Sequence, residues 1–325
     1  MFVSESHTRI ITLSTAAGLK IEVMPFGATI KSIKIKGHEV CLTYPSLQQY
    51  LDNPFYLGSS IGRYANRIAN GRFSLHNQDY YLTKGDQQHA LHGGAVGFSH
   101  QLWDCVEFSE TYCLLTLTSA DGDAGFPGNL QVKLKIAVTE LSVTLEFTAI
   151  SDQDTIINLT NHSYFNLNKD KSSLNAHWLT IAADAYLPIS SSGIPLGYSN
   201  AVVDTDFDFS QPKELTRCFD SVDPQFLTAG GYDHFYIFAP NRDLKQAVAQ
   251  LVSTESGLGV RLFTTQPGLQ FYSGNFLGTP FIARSGLCLE AQHWPDAPNQ
   301  HTFPSAVITA HETYERTIQY EFFEL

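Results

Sequence analysis

The sequence predicts an all-β fold, a large antiparallel β-sandwich, and three observations carry that expectation. Apolar residues recur with a period of two along much of the chain, helical periodicity is scarce, and turn-forming clusters punctuate the alternating stretches. The clearest alternation sets Leu130, Val132, Leu134, Ile136 and Val138 against Gln131, Lys133, Lys135 and Thr139. The phase then flips, and Leu141, Val143, Leu145, Phe147 and Ala149 alternate with Ser142, Thr144, Glu146 and Thr148. A turn at Thr139-Glu140 pairs Val138 with Leu141, Ile136 with Val143, Leu134 with Leu145 and Val132 with Phe147, giving an antiparallel hairpin with one apolar face. Shorter alternations at Leu19-Ile21-Val23, Ile33-Ile35, Cys113-Leu115-Leu117, Leu258-Val260-Leu262 and Leu287-Leu289 predict further strands. Ser46–Leu51 and Leu244–Val252 read as short helices, neither long enough for a helical layer. Turn clusters fall at Asp121-Gly122-Asp123, Ser190–Gly193 and Ala229-Gly230-Gly231. No repeat, low-complexity tract or charge block marks a boundary, so residues 1–325 are expected to form a single domain of two packed sheets.

Composition narrows the function. The 325 residues are 43% hydrophobic and 16% charged, enough for a sizeable core. Twenty Lys and Arg against 32 Asp and Glu leave a net charge of −12, which argues against nucleic acid or anionic membrane as partners. Met1–His7 lacks a basic segment followed by an apolar one, and no apolar run reaches membrane-spanning length. Five scattered cysteines, never in a C-x-x-C pair, read as reduced thiols of a cytoplasmic protein.

Four segments concentrate polar and ionisable residues that alternation does not explain. Gly62–Gly71 holds Arg63, Arg67, Asn66 and Asn70, donors suited to an oxygen-rich ligand or, equally, to structural ion pairs. His89-Ala90-Leu91-His92-Gly93-Gly94 has two histidines but no third ligand at a metal-site spacing, so no metal is expected. Its paired glycines indicate a tight turn or a backbone that approaches a neighbour closely. Ile156–Leu167 runs from apolar residues into Asn161, His162, Ser163 and Tyr164, where the histidine is either a structural donor or a catalyst. In Ser285–Asp296, Glu290 follows apolar residues on a strand that reads as buried. A carboxylate there is paired or functional, because burying it bare is costly.

Taken together these segments resemble the aldose 1-epimerase (galactose mutarotase) family. The matching strings are Gly62–Arg67, Leu91-His92-Gly93-Gly94, Gly125–Leu130, Thr160–Leu167, Gly231-Tyr232-Asp233-His234, Thr265–Tyr272, Gly274-Asn275-Phe276 and Leu289–Asp296, in family order across nearly the whole chain. The resemblance implies a galactose mutarotase-like supersandwich with a sugar cleft on one broad face. It implies interconversion of the α and β anomers of free hexoses such as galactose and glucose, without cofactor or metal. By motif position Glu290 corresponds to the general base and His162 to the general acid. Asn66, Arg67, His92, Asp233 and Gln270 correspond to sugar-contacting positions, and Ser163 and Tyr164 flank the acid. Ordinary carboxylate and imidazole pKa values suit an anionic Glu290 and a donor His162. Tyr164, Phe271 and Tyr272 are candidates for packing on the sugar's apolar face or in the core.

Three rival readings remain. A sugar-phosphate mutarotase of the same fold needs a basic subsite, for which Arg63 and Arg72 are candidates. A glycosidase needs two flanking carboxylates, and only Glu290 and Asp233 stand out. A non-catalytic sugar-binding protein keeps the cleft without turnover. The expected partner is a small free aldose, and the exposed strand edges suit a monomer or a homodimer. The short connection Gly278–Ser285 borders the expected cleft.

Overall fold

The computed structural model describes residues 9–84 and 88–325, so the reading of Met1–His7 lies outside the described residues. The hairpin forms from Leu130–Thr139 and Ser142–Ser151, and its apolar residues are buried in strict alternation. Its register differs from the expectation by two residues: Val138 faces Val143, Ile136 faces Leu145, Leu134 faces Phe147 and Val132 faces Ala149. A slip of two leaves every side chain on the same face, so alternation is blind to it and the turn decides. The turn falls at Glu140-Leu141, with Glu140 at φ +49°. It is held from outside the hairpin, because Phe322 N donates to Leu141 O and Thr15 Oγ1 to Glu140 O.

The hairpin lies within a nine-stranded antiparallel sheet. From the edge strand Asp104–Phe108 the order runs through Tyr112–Ser119, the hairpin, Thr313–Glu324, Leu258–Thr264, Ala249–Ser253 and His177–Ile181 to Lys213–Glu214. The helix expected at Leu244–Val252 does not form. Ala249–Ser253 is instead an interior strand with Leu251 between Leu179 and Val260, and pairing on both sides outweighs a weak local helical pattern. The other expected helix forms over Leu47–Asp52, where Gln49 Oε1 accepts from Ser46 N.

A six-stranded antiparallel sheet carries the chemistry. It is ordered Tyr164–Phe165, Leu287–Gln292, Gly268–Tyr272, Asp233–Ile237, Ala185–Leu187 and Asn200–Ala201. Leu287–Gln292 and Gly268–Tyr272 are buried on both faces. Phe165, Leu269, Phe271, Leu287, Leu289 and Ala291 join the main core together with Leu134, Leu145 and Ile318 of the larger sheet, so two sheets enclose one apolar layer. The alternate residues Tyr164, Tyr272 and Cys288 belong to a separate cluster on the opposite face. Period two therefore sends Glu290, Gln270 and Asp233 to that outer face, with Gln270 paired to Glu290 and Asp233 to Tyr272.

His177, His234 and His293 are buried, and burial lowers their pKa values to about 4, about 3 and about 4. Below about pH 6.5 the unfolded chain binds more protons than the folded one. Stability from these neutral rings is complete above about pH 6.5 and is lost as pH falls toward 4. Thermal unfolding across this window is expected to show Tm falling steadily with acidification. A Tm that does not change from about pH 7 to about pH 5 would contradict it.

Candidate active site

A cavity of about 300 Å3 opens on the outer face of the six-stranded sheet, with His162 and Glu290 in its walls. Glu290 projects from Leu287–Gln292 by the alternation just described. His162 follows the short strand Thr160–Asn161, which pairs with Ser60–Ile61. Its backbone is clamped at both ends, with its N–H donating to Ser59 O and its carbonyl accepting from Gly58 N. Arg67–Ile68 pairs with Ala90–Leu91 and carries Asn66, Arg67 and His92 to the cavity wall. The paired glycines make this possible. Gly93 sits at φ +90°, and a Cβ there would lie 2.0 Å from Gly62 O, so the close approach is to backbone, not to a ligand.

His162 Nε2 lies 3.5 Å from Glu290 Oε1, with side chains only 5% and 3% exposed, and Glu290 Oε2 has no protein partner. Asp233 Oδ1 accepts from Gln270 Nε2 at 2.6 Å, and Asp233 Oδ2 stands 3.5 Å from Arg67 Nη1. Gln270 thus orients Asp233 from behind the wall. Burial pushes the Glu290 carboxyl well above the usual carboxylate range, Asp233 adds to the rise, and Arg67 opposes it. Burial lowers His162 to about 4, partly offset by its own backbone carbonyl. Burial therefore works against the anionic Glu290 expected from ordinary pKa values, and it favours the neutral form of both groups.

The two histidines differ. His92 Nδ1 accepts the Asn66 N–H at 3.2 Å, so its neutral ring carries the proton on Nε2 and presents a fixed donor. Burial, His162 and Arg67 hold His92 well below its ordinary pKa. Ring nitrogens of His92 and His162 and a Glu290 oxygen lie within 4.8 Å of one another. This donor set does not fit a metal, because a ligating imidazole donates through its other nitrogen whereas that of His92 accepts. His89, the second histidine of its segment, spends Nδ1 on Asn70 N.

Several expected residues lie elsewhere. Ser163 is not in the cavity wall, since its hydroxyl donates to Asn161 Oδ1 at 2.6 Å. Phe271 belongs to the main core, whereas Tyr164 and Tyr272 line the cavity. Arg63 is buried and donates to the carbonyls of Pro127, Gly128, Ser119 and Ala120. Arg72 pairs with Asp79 on the surface. Phe281, in the connection Gly278–Ser285, packs on Phe55, itself a wall of the cavity.

Tyr56 was not legible as a site residue. Its ring centroid lies 4.7 Å from His92 and 5.9 Å from His162, and it adopts φ +57°, unusual for an aromatic residue. Asn53 imposes this turn, with Oδ1 accepting from Leu57 N and Nδ2 donating to Leu57 O and Ser59 Oγ. The signal in the sequence was the turn dipeptide Asn53-Pro54.

An antiparallel β-sandwich with a one-ring-sized cleft holding a carboxyl, an imidazole and further polar side chains defines an acid/base enzyme for a small polar substrate. The chain belongs to the aldose 1-epimerase family, whose model matches residues 9–321. It is 36% identical over 329 residues to the aldose 1-epimerase of Escherichia coli, covering 97% of this chain and 95% of that protein. It is likewise 36% identical to the galactose mutarotase of Homo sapiens, covering 94% and 91%. The solved galactose 1-epimerase of Lactobacillus acidophilus superposes with a TM-score of 0.86 at 28% identity, over 97% of this chain and 94% of that one. An aldose epimerase homologue from C. elegans shares the fold with a TM-score of 0.90.

Because the folded state holds the Glu290 proton more tightly than the unfolded chain, the contribution of this one group to stability declines as pH rises above about 4.5, against the opposite trend of the buried histidines. Glu290→Gln lacks this ionisation. Its Tm is expected to exceed that of the wild type by a margin that widens with pH, and scanning calorimetry at several pH values reads this directly. A constant margin would argue against the raised carboxyl pKa.

Proposed function

We propose that this protein interconverts the α and β anomers of free hexoses such as galactose and glucose, with Glu290 as general base and His162 as general acid. The observation that carries this reading is the buried pair itself, Nε2 and Oε1 3.5 Å apart in one cavity. Glu290 takes the proton of the anomeric hydroxyl while His162 Nε2–H protonates the ring oxygen. The bond from C1 to the ring oxygen breaks and C1 becomes the aldehyde carbonyl. Rotation about C1–C2 and closure on the other carbonyl face, with each group working in reverse, yields the other anomer.

Without sugar bound, burial favours placing the one proton of the pair on Glu290. A sugar hydroxyl donating to the unpartnered Oε2 stabilises the carboxylate, and the proton can then reside on His162. Asp233 accepts sugar hydroxyls, and Asn66, Arg67 and His92 donate to sugar oxygens. Tyr56, Tyr164 and Tyr272 offer aromatic surface to the C–H face of the ring. A volume near 300 Å3 is at the small end for ligand pockets and suits one ring. This proton-transfer cycle involves no cofactor, and the sequence reading of one domain in the cytoplasm is retained.

A phosphate subsite is disfavoured because both terminal nitrogens of Arg63 are engaged by backbone carbonyls and Arg72 lies on the surface, which leaves Arg67 beside Asp233. A glycosidase is disfavoured because Asp233 is already engaged by Gln270 and Arg67.

Polarimetry on freshly dissolved α-D-galactose and α-D-glucose tests the reading. Accelerated mutarotation is expected, with losses of about 10²- to 10⁴-fold in Glu290→Gln and His162→Asn. Full activity in Glu290→Gln would refute the base assignment, and no effect of the wild type on any free aldose would refute the activity. The pair shares one proton, so kcat/KM should fall on the acid side near pH 4 and on the alkaline side at the raised Glu290 value. An acid limb near pH 6.5 would show that His162 is not buried as described.

A further inference from the structure

We infer that Cys288 is a positioning residue: its sulfur accepts the Nδ1–H of His162 and so reserves Nε2 for proton exchange with the sugar. The inference deepens the proposed function and rests on His162 acting as the acid there. His162 Nδ1 lies 3.4 Å from Cys288 Sγ, and Nε2 lies on the Glu290 side of the ring. A neutral imidazole has one N–H, and its placement decides what the ring can do. With the proton on Nε2 and Nδ1 bare, release from Nε2 would leave an imidazolate, which is out of reach near neutral pH. With the proton kept on Nδ1, Nε2 cycles between a lone pair and N–H, the change that protonating and deprotonating a ring oxygen requires.

The surroundings of Nδ1 favour that second arrangement. His92 faces a backbone N–H at its Nδ1 and is thereby locked as an Nε2 donor, whereas His162 faces a sulfur. Its own backbone carbonyl, an acceptor only, also acts on the ring. Burial and the nearby Glu290 raise the Cys288 thiol well above its usual range, so it stays S–H and keeps lone pairs for Nδ1–H. A weak, uncharged acceptor orients the ring without fixing the imidazolium as a carboxylate would. The other titratable groups facing His162 are Glu290, His92, Tyr56, Tyr164 and Tyr272. Cys288 and Glu290 sit two apart on one strand with both side chains on the outer face. One segment of backbone therefore carries the base and the atom that orients the acid.

The test is long-range ¹⁵N–¹H NMR of histidine-labelled full-length protein, with the His162 signals identified by their loss in His162→Asn. The wild type is expected to show His162 as the Nδ1–H tautomer and His92 as the Nε2–H tautomer. Cys288→Ala should mix the His162 tautomers and lower kcat roughly 10-fold, less than loss of the acid itself, with KM within about two-fold. Cys288→Ser, which keeps an acceptor, should retain the tautomer and most of kcat. An Nε2–H tautomer for His162 in the wild type would overturn the inference whatever the variants do. So would a Cys288→Ala protein with unchanged spectrum and kcat. If the wild type shows no mutarotation yet its His162 tautomer depends on Cys288, the function fails while the positioning role stands.

Discussion

A carboxyl and an imidazole stand 3.5 Å apart in the wall of one pocket, both almost wholly buried, and burial disfavours the charged form of each. Desolvation raises Glu290 and lowers His162, so both shifts move the two groups toward their neutral forms. The proposed ring opening and reclosure calls for one acid and one base that exchange roles within reach of the same ring. The remaining architecture supports and orients that pocket.

Support comes from the six-stranded sheet, whose central strands are buried on both faces. Its inner face is packed against the core shared with the nine-stranded sheet, so the outer face can hold polar groups at fixed spacings without loss of support. Orientation comes from neighbours: Gln270 holds Asp233, Asn66 N–H holds His92, and the backbones of Gly58 and Ser59 clamp His162. The strained turn that presents Tyr56 beside the two histidines is held by the buried amide of Asn53.

Much of the fold was legible because a half-buried strand writes its period directly into the residues. Leu130–Thr139 and Ser142–Ser151 follow that pattern, yet their register could not be read, since a two-residue slip preserves every facing. Leu244–Val252 misled because a short apolar pattern fits a helix or a strand until its neighbours on both sides are known. In the cleft, His162, Glu290, Asn66, Arg67, His92 and Asp233 converge as anticipated, and Gln270 acts from behind. Ser163 turns away because Asn161 captures its hydroxyl two residues earlier, a local contact that motif position does not reveal.

The residue order by itself determined the alternating strands, the acidic balance, and which ionisable side chains interrupt apolar runs, because each is a property of neighbours along the chain. Tertiary structure alone decided the directions in which Glu290 and His162 shift, since pKa shifts depend on how much water the fold removes. It alone decided that Arg63 is a brace, because the carbonyls that engage its terminal nitrogens lie more than fifty residues away. It also placed Cys288 against Nδ1 of His162 across 126 positions of sequence, a contact that only the folded sheet can bring about.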